Sequence, residues 1–337
     1  MTAGFPWASR SIPAVSDASP ERAPVTPEAT PGRADRAWTG GRARISGARR
    51  RSGLSPKVFG ASVLLPIICG IVVLVVLIVA PGAERPTIVG GTLVAVASGL
   101  AATAIGVYGG VLVPGLLLLG VDARFAAAIS LFLQVLVIPL GAASHYRLGN
   151  VTRSIAVPLV VGGMIGAAIG PLFAAALPKD VIARVVAGLI VLVGFVVLAT
   201  LRWGGLGSVR SEGDVPRARV GAIGVVAGFS SGISGAGWGP IGVKLLILAR
   251  IDPRQAIGSS LAGRIFMAAT AVTVYVVSAS AFTDVTPNWW LVVPLLAGSV
   301  AAMVPGAYLL SRLGRESATI GITLLSIALA LPTLIWG

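Results

Sequence analysis

Acids, cysteine and histidine are scarce in this sequence: 12 Asp and Glu, one Cys and one His among 337 residues. The single cysteine, Cys69, excludes a disulfide framework and a cysteine-based zinc or iron–sulfur centre. The single histidine, His145, removes nearly every histidine-dependent catalytic arrangement. Charge of either sign is thin, at 11% of residues, where a soluble domain carries about 25%. So few charges cannot cover a surface that faces water. What is present instead is apolar: 55% of residues are hydrophobic and the mean hydropathy is +0.93. A soluble enzyme is therefore excluded, and an all-α, polytopic integral membrane protein is expected. The 44 glycines follow no triplet repeat, which excludes collagen. No catalytic pair and no metal-ligand set can be assembled, so neither an enzyme nor a cofactor is expected.

The positive charge is unevenly placed. Residues 1–57 hold ten of the 26 Lys and Arg against four acids, and are rich in Pro, Ala, Ser and Thr without apolar periodicity. They read as a disordered basic tail held on the cytoplasmic side. Aromatic interleaving is absent, so no nucleic-acid partner is expected. An uncharged run at 58–80 follows; as a helix it is ~34 Å long, enough to span a bilayer as an N-terminal anchor. Further uncharged runs occupy 87–121, 125–146, 155–177 and 185–201, then 220–243, 265–281, 285–311 and 317–337. A Gly-, Arg- and Ser-rich linker at 202–219 divides them into a first repeat, 87–201, and a second, 220–337.

The two stretches repeat each other. Gly99 aligns with Gly228, Gly106 with Gly235 and Gly110 with Gly239. After a one-residue insertion Asp122 aligns with Asp252, Arg124 with Arg254, Ser130 with Ser260 and Gln134 with Arg264. Further on, Val157-Pro158-Leu159 aligns with Val293-Pro294-Leu295, and Gly162 with Gly298. With the N-terminus cytoplasmic and 87–121 returning to the side it left, every Arg-rich loop falls in the cytoplasm. The two repeats then start from opposite sides, which makes the repeat inverted.

Two glycine clusters give the reason for the return: Gly106-Val107-Tyr108-Gly109-Gly110, and Gly235-Ala236-Gly237-Trp238-Gly239-Pro240. Glycine weakens a helix by about 1 kcal/mol relative to alanine, and Pro240 suits the first position of a restarting helix. The stretches after the breaks, 111–119 and 240–248, are too short to span alone. Each helix that restarts inside a membrane offers orphan N–H groups and partial positive charge, a setting for an anion. Lys244 and Arg264 lie within apolar runs, where an unpaired charge is costly, and no acid lies inside any run, so a bound anion is the natural partner. Ser130 with Gln134 and Ser260 with Arg264 each stand at i and i+4 on one helix face. The expected binding residues are Gly106, Gly109, Gly110, Ser130, Gln134, Ser234, Gly235, Gly237, Trp238, Gly239, Lys244, Ser260 and Arg264.

At these positions the sequence resembles the sulfite exporter TauE/SafE family. The resemblance runs from about Val89 to the C-terminus and is carried by the residues from Gly228 to Pro240, by Asp252 to Ser260, and by a weaker first copy in Gly106 to Pro114 and His145 to Asn150. It implies an inner-membrane permease for sulfite, sulfonate-derived or related organic anions; the 58–80 anchor is additional to the family core. The function expected is secondary transport of a small anion by alternating access, with the halves rocking about a midplane site. The absence of a nucleotide-binding motif argues against direct ATP drive. The alternatives are a non-transporting scaffold or sensor and a permease for a neutral solute. Expected partners are the lipid bilayer, a small anionic substrate and, as an open alternative, further copies of the chain in a homo-oligomer.

Overall fold

The computed structural model of the chain describes residues 56–105, 107–147, 149–202, 215–278, 287–312 and 315–336. The basic tail up to residue 55, the centre of the 202–219 linker and Gly106 lie outside the described residues. Among the described residues there is no strand. Eleven α-helices are described: α1 (Pro56–Val79), α2 (Arg85–Ile105), α3 (Gly109–Leu118), α4 (Ala123–Arg147), α5 (Arg153–Ala176), α6 (Lys179–Arg202), α7 (Arg217–Ser234), α8 (Lys244–Leu248), α9 (Pro253–Val277), α10 (Val292–Arg312) and α11 (Arg315–Trp336).

Length and composition alone make five described stretches long and apolar enough to cross a membrane: Gly82–Thr103, Arg153–Ala176, Lys179–Arg202, Gln255–Val277 and Thr319–Trp336. Their outward faces are greasy rather than polar, with Leu93, Val157, Leu192, Val276 and Ile335 all exposed. An apolar exterior of this kind is stable only against lipid. The protein is a polytopic membrane protein. Prolines stand inside several helices, including Pro114, Pro139, Pro158 and Pro332, as neighbouring helices in a membrane bundle permit.

Two glycine-lined seams knit the chain together. Along α5 and α7, which run parallel, a Cβ at Gly162 would overlap the carbonyl of Gly221, one at Gly166 that of Val225, and one at Gly228 that of Gly163. Without side chains the two backbones touch, the packing that small residues at four-residue spacing allow. The second seam joins α2 to α10: a Cβ at Gly99 would overlap the carbonyl of Ser299, and one at Gly298 would lie 2.9 Å from that of Thr92. The two seams use positions that the sequence repeat aligns, Gly228 and Gly163 standing where Gly99 and Ser299 stand. Each seam joins a helix of one repeat to a helix of the other.

The turns after the breaks also recur. α3 ends with the Val121 N–H donating to the Leu116 carbonyl (3.1 Å), and α8 with the Ile251 N–H donating to that of Leu246 (3.1 Å). Each end needs one residue in the left-handed region: Gly120 (φ 76°) in the first, Arg250 (φ 67°) in the second. Arg250 is the one non-glycine residue with positive φ among the described residues. An aspartate then starts the next helix in both copies. Asp122 Oδ1 accepts from the Arg124 N–H (2.8 Å), and Asp252 Oδ1 from the Gln255 N–H (3.3 Å), satisfying donors that a helix start leaves open.

Candidate functional site

Both glycine clusters interrupt the helices that contain them. α2 stops at Ile105 and α3 begins at Gly109; α7 stops at Ser234 and the chain coils again from Trp238. After each break the chain doubles back. Gly115 packs on Val94 and Gly90 on Leu119, so α3 runs antiparallel to α2, and Gly242 packs on Ala227 as the second strand of chain returns along α7. The restart comes earlier than expected, at Gly109 and Trp238. Pro240 is the third residue of a six-residue wide turn, Trp238–Val243, in place of the first residue of a helix. It is still tolerated, because donors in an opening turn have no intrahelical acceptor to lose. Such widened turns are frequent at functional sites.

The two breaks meet. Gly235, at the end of α7, takes the left-handed conformation (φ 65°), which aims its carbonyl away from the helix. That carbonyl accepts from Ser130 Oγ (3.0 Å) and Gln134 Nε2 (2.9 Å), both on α4. Gly109, at the other break, lies against the same carbonyl; a Cβ there would overlap it and come within 2.9 Å of Ser130 Oγ. Ser130 and Gln134 therefore fasten the second break from the first repeat.

The aromatic residue of each break is buried against a different helix. Trp238 is fully enclosed, its indole lying over Gly163 of α5 and Gly263 of α9, and its Nε1–H donates to the Ser260 carbonyl (2.9 Å). Tyr108 hydrogen-bonds through its hydroxyl to Ser299 of α10 (2.7 Å). Ser299 aligns with Gly163, so each aromatic reaches the matched position on the partner helix.

Between the breaks lies a small cavity of about 20 Å³, room for about one water molecule. The first break lines it with Val107 and Gly110, and the second with Ser234, Ala236, Gly237 and Pro240. Leu189, Ile190, Val193, Gly194 and Val197 of α6, and Thr323 and Ser326 of α11, complete the wall. Of the residues expected from sequence, Gly110, Ser234 and Gly237 reach this cavity. Ser130, Gln134, Gly235 and Gly109 stand in the joint behind it. Trp238 and Ser260 make the anchor on the α9 side. Arg264 is buried on α9, one turn beyond Ser260, and 3% exposed; Lys244 is half-buried at the start of α8. Neither cation, nor Gly239, is among the cavity-lining residues.

The α6 and α11 walls were missed by sequence reasoning. The α11 wall had a signal in Thr319, Thr323 and Ser326, a hydroxyl stripe at helical spacing in an otherwise apolar run. At rest these hydroxyls point inward along their own helices: Thr323 Oγ1 donates to the Thr319 carbonyl (2.7 Å), Ser326 Oγ to that of Ile322 (2.9 Å) and Ser234 Oγ to that of Ser230 (2.7 Å). Each can rotate to donate to a guest. Fixed donors come from the backbone. The Val111 and Leu112 N–H groups both reach the Tyr108 carbonyl, which leaves the first two N–H groups of α3 without an intrahelical acceptor by position.

The family described as sulfite exporter TauE/SafE covers residues 91–333. The chain belongs to that family. The TauE/SafE region takes in both breaks, both seams and every residue of the cavity wall, and begins after α1. A probable membrane transporter protein of Bacillus subtilis (strain 168), YtnM, is 30% identical over 200 residues, which is 58% of this chain and 65% of that relative. The matched stretch thus spans just under two thirds of the relative's length. No solved structure matches the chain. TauE/SafE is a family of membrane transporters.

Proposed function

We propose that this TauE/SafE protein is a secondary transporter for a small anion, sulfite or a related sulfonate or organic acid, working by alternating access in the cell membrane with its N-terminus in the cytoplasm. The observation that carries this reading is the cavity between the breaks, bounded by residues of both repeats together with α6 and α11. A small guest there meets backbone N–H groups and the positive ends of short helices, the elements that bind anions without a dedicated basic side chain. The apolar α6 wall excludes water, which strengthens those weak dipolar contacts. Arg264 adds a positive charge within the same helical interior.

The seams refine how such a molecule would move. α5 is tied to α7 and α2 to α10 by direct backbone contact, so each moving body combines helices from both repeats. The breaks, with Gly109 against the Gly235 carbonyl, form the joint between them. The test is flux of isotopically labelled sulfite, sulfonates and small carboxylates through liposomes containing the purified chain. Saturable anion flux that responds to an imposed ion gradient supports the reading. No flux of any solute would favour a scaffold or sensor, and flux of neutral solutes alone would remove the anion.

A further inference from the structure

The α5–α7 seam carries a feature that the transport reading does not use. On its outer side runs an open groove of about 600 Å³. Its floor is Gly162 and Gly221, and its rims include Val157, Val161 and Ile165, which are 60%, 55% and 51% exposed. One end is basic. Arg153 and Arg217, the first residues of α5 and α7, both line the groove and both are exposed. Beside them is Ser154, also in the lining, whose Oγ is buried and makes no hydrogen bond among the described residues. No acid lines the groove.

We infer that this groove holds one anionic phospholipid, its phosphate between Arg153, Arg217 and the Ser154 hydroxyl and an acyl chain along the glycine floor. Charge complementarity favours this occupant over a zwitterionic lipid: two guanidinium groups face the head position with no carboxylate to offset a choline or ethanolamine. Length agrees as well. From Arg153 to Ile165 a helix rises ~18 Å, close to half of the roughly 30 Å hydrocarbon core, so the groove is about one leaflet deep. An apolar groove with a basic mouth between membrane helices suits an anionic lipid rather than free phosphate, which would leave the apolar length unused. The other seam lacks the feature. At the start of α2 and α10 there is one arginine rather than two: Arg85, the first residue of α2, donates to the Ile78 carbonyl (3.4 Å), and its neighbour Glu84 accepts a hydrogen bond from Asn288 Nδ2. The basic mouth therefore belongs to one seam and one leaflet.

The experiment uses the full chain, delipidated in neutral detergent. Phosphatidylglycerol and phosphatidylcholine with identical acyl chains are titrated, with retained lipid read by native mass spectrometry and thermal unfolding recorded in parallel. The expected result is one phosphatidylglycerol retained in preference to phosphatidylcholine, with a rise in unfolding temperature that inorganic phosphate does not reproduce. Removing a basic contact should cost about fivefold in phosphatidylglycerol affinity for R153Q or R217Q alone, and more than tenfold for the pair. Phosphatidylcholine retention should not change. V161W keeps both arginines and should lower phosphatidylglycerol retention by filling the groove. Equal retention of the two lipids, an unchanged preference in the folded single variants, or full stabilisation by inorganic phosphate would each overturn the assignment.

Discussion

At the scale of single residues, the decisive contact is the one between Gly109 and the Gly235 carbonyl. A side chain at position 109 has nowhere to go but into that carbonyl and Ser130 Oγ. We expect Gly109→Val to reach the membrane yet lose at least about tenfold in transport rate, measured as initial flux per inserted protein. Gly70→Ala is the control, because a Cβ there meets nothing within 4 Å and a mid-helix Gly→Ala change is neutral or stabilising by up to about 1 kcal/mol. Normal flux in Gly109→Val would mean that the joint between the breaks is not needed for transport. Arg264 makes a second prediction. It does not line the cavity, so its effect on an anion there is expected to come through its charge rather than a fork of hydrogen bonds. At an effective dielectric of about 20, a charge roughly 10 Å from an anion contributes about 1.7 kcal/mol. Arg264→Gln should weaken anion affinity about tenfold, and Arg264→Lys should restore most of it, with both read from the substrate dependence of flux. Three equal affinities would make Arg264 a structural residue.

Elements come next, and here the aromatic anchors and the seams can be separated. Trp238 ties the second break to α9 through one hydrogen bond to the Ser260 carbonyl and through ring packing on two glycines. Trp238→Phe keeps much of the packing and leaves that buried carbonyl without its indole donor. The expected cost is about 1–3 kcal/mol, visible as a lower unfolding temperature in detergent; an unchanged temperature would mean that packing alone holds the break. Gly166→Val attacks the α5–α7 seam instead, where the added atoms would meet Val225 and Phe229 backbone. It should abolish a monodisperse folded product on size-exclusion chromatography, while a normal elution profile would show that the seam can open.

The sequence made the elements legible through two signals. Uncharged runs marked the helices, and glycine clusters marked where α2 and α7 stop. Those signals state where a chain is apolar or weak, not what lies opposite it. Ser130 and Gln134 were identifiable as a pair at one helix face, yet nothing local to α4 says that the pair caps Gly235 rather than a substrate. The α6 wall was invisible for the same reason: Leu189, Val193 and Val197 look identical whether they face lipid, protein or a cavity. Arg264 was conspicuous because a charge in an apolar run is rare, and its rarity says nothing about distance to the guest.

At the scale of the whole molecule, orientation is the property on which the inverted arrangement depends. With Cys69 replaced by Ser, single cysteines placed at Ser208 and Asp284 should react with membrane-impermeant maleimide from opposite sides of sealed vesicles. Ser208 should be accessible from the cytoplasm, as its neighbouring arginines require. Labelling of both from one side would break the inverted arrangement and leave the two breaks facing the same way.

The crossed seams also bear on how the chain is made. Tyr108 finds its partner Ser299 across 191 residues of sequence, and the glycine rows of α2 and α10 are separated to a similar degree. At about 5–20 residues per second, α2 emerges from a ribosome roughly 10–40 s before α10 exists to cover it. The first repeat therefore waits in the bilayer with a bare backbone stripe along α2, whereas the stripe along α5 is covered once α7, about 60 residues on, has followed it. Lipid solvates the apolar side chains during that interval but cannot mimic close backbone contact. A first repeat released alone is then a nascent intermediate, open to pairing with another copy of itself.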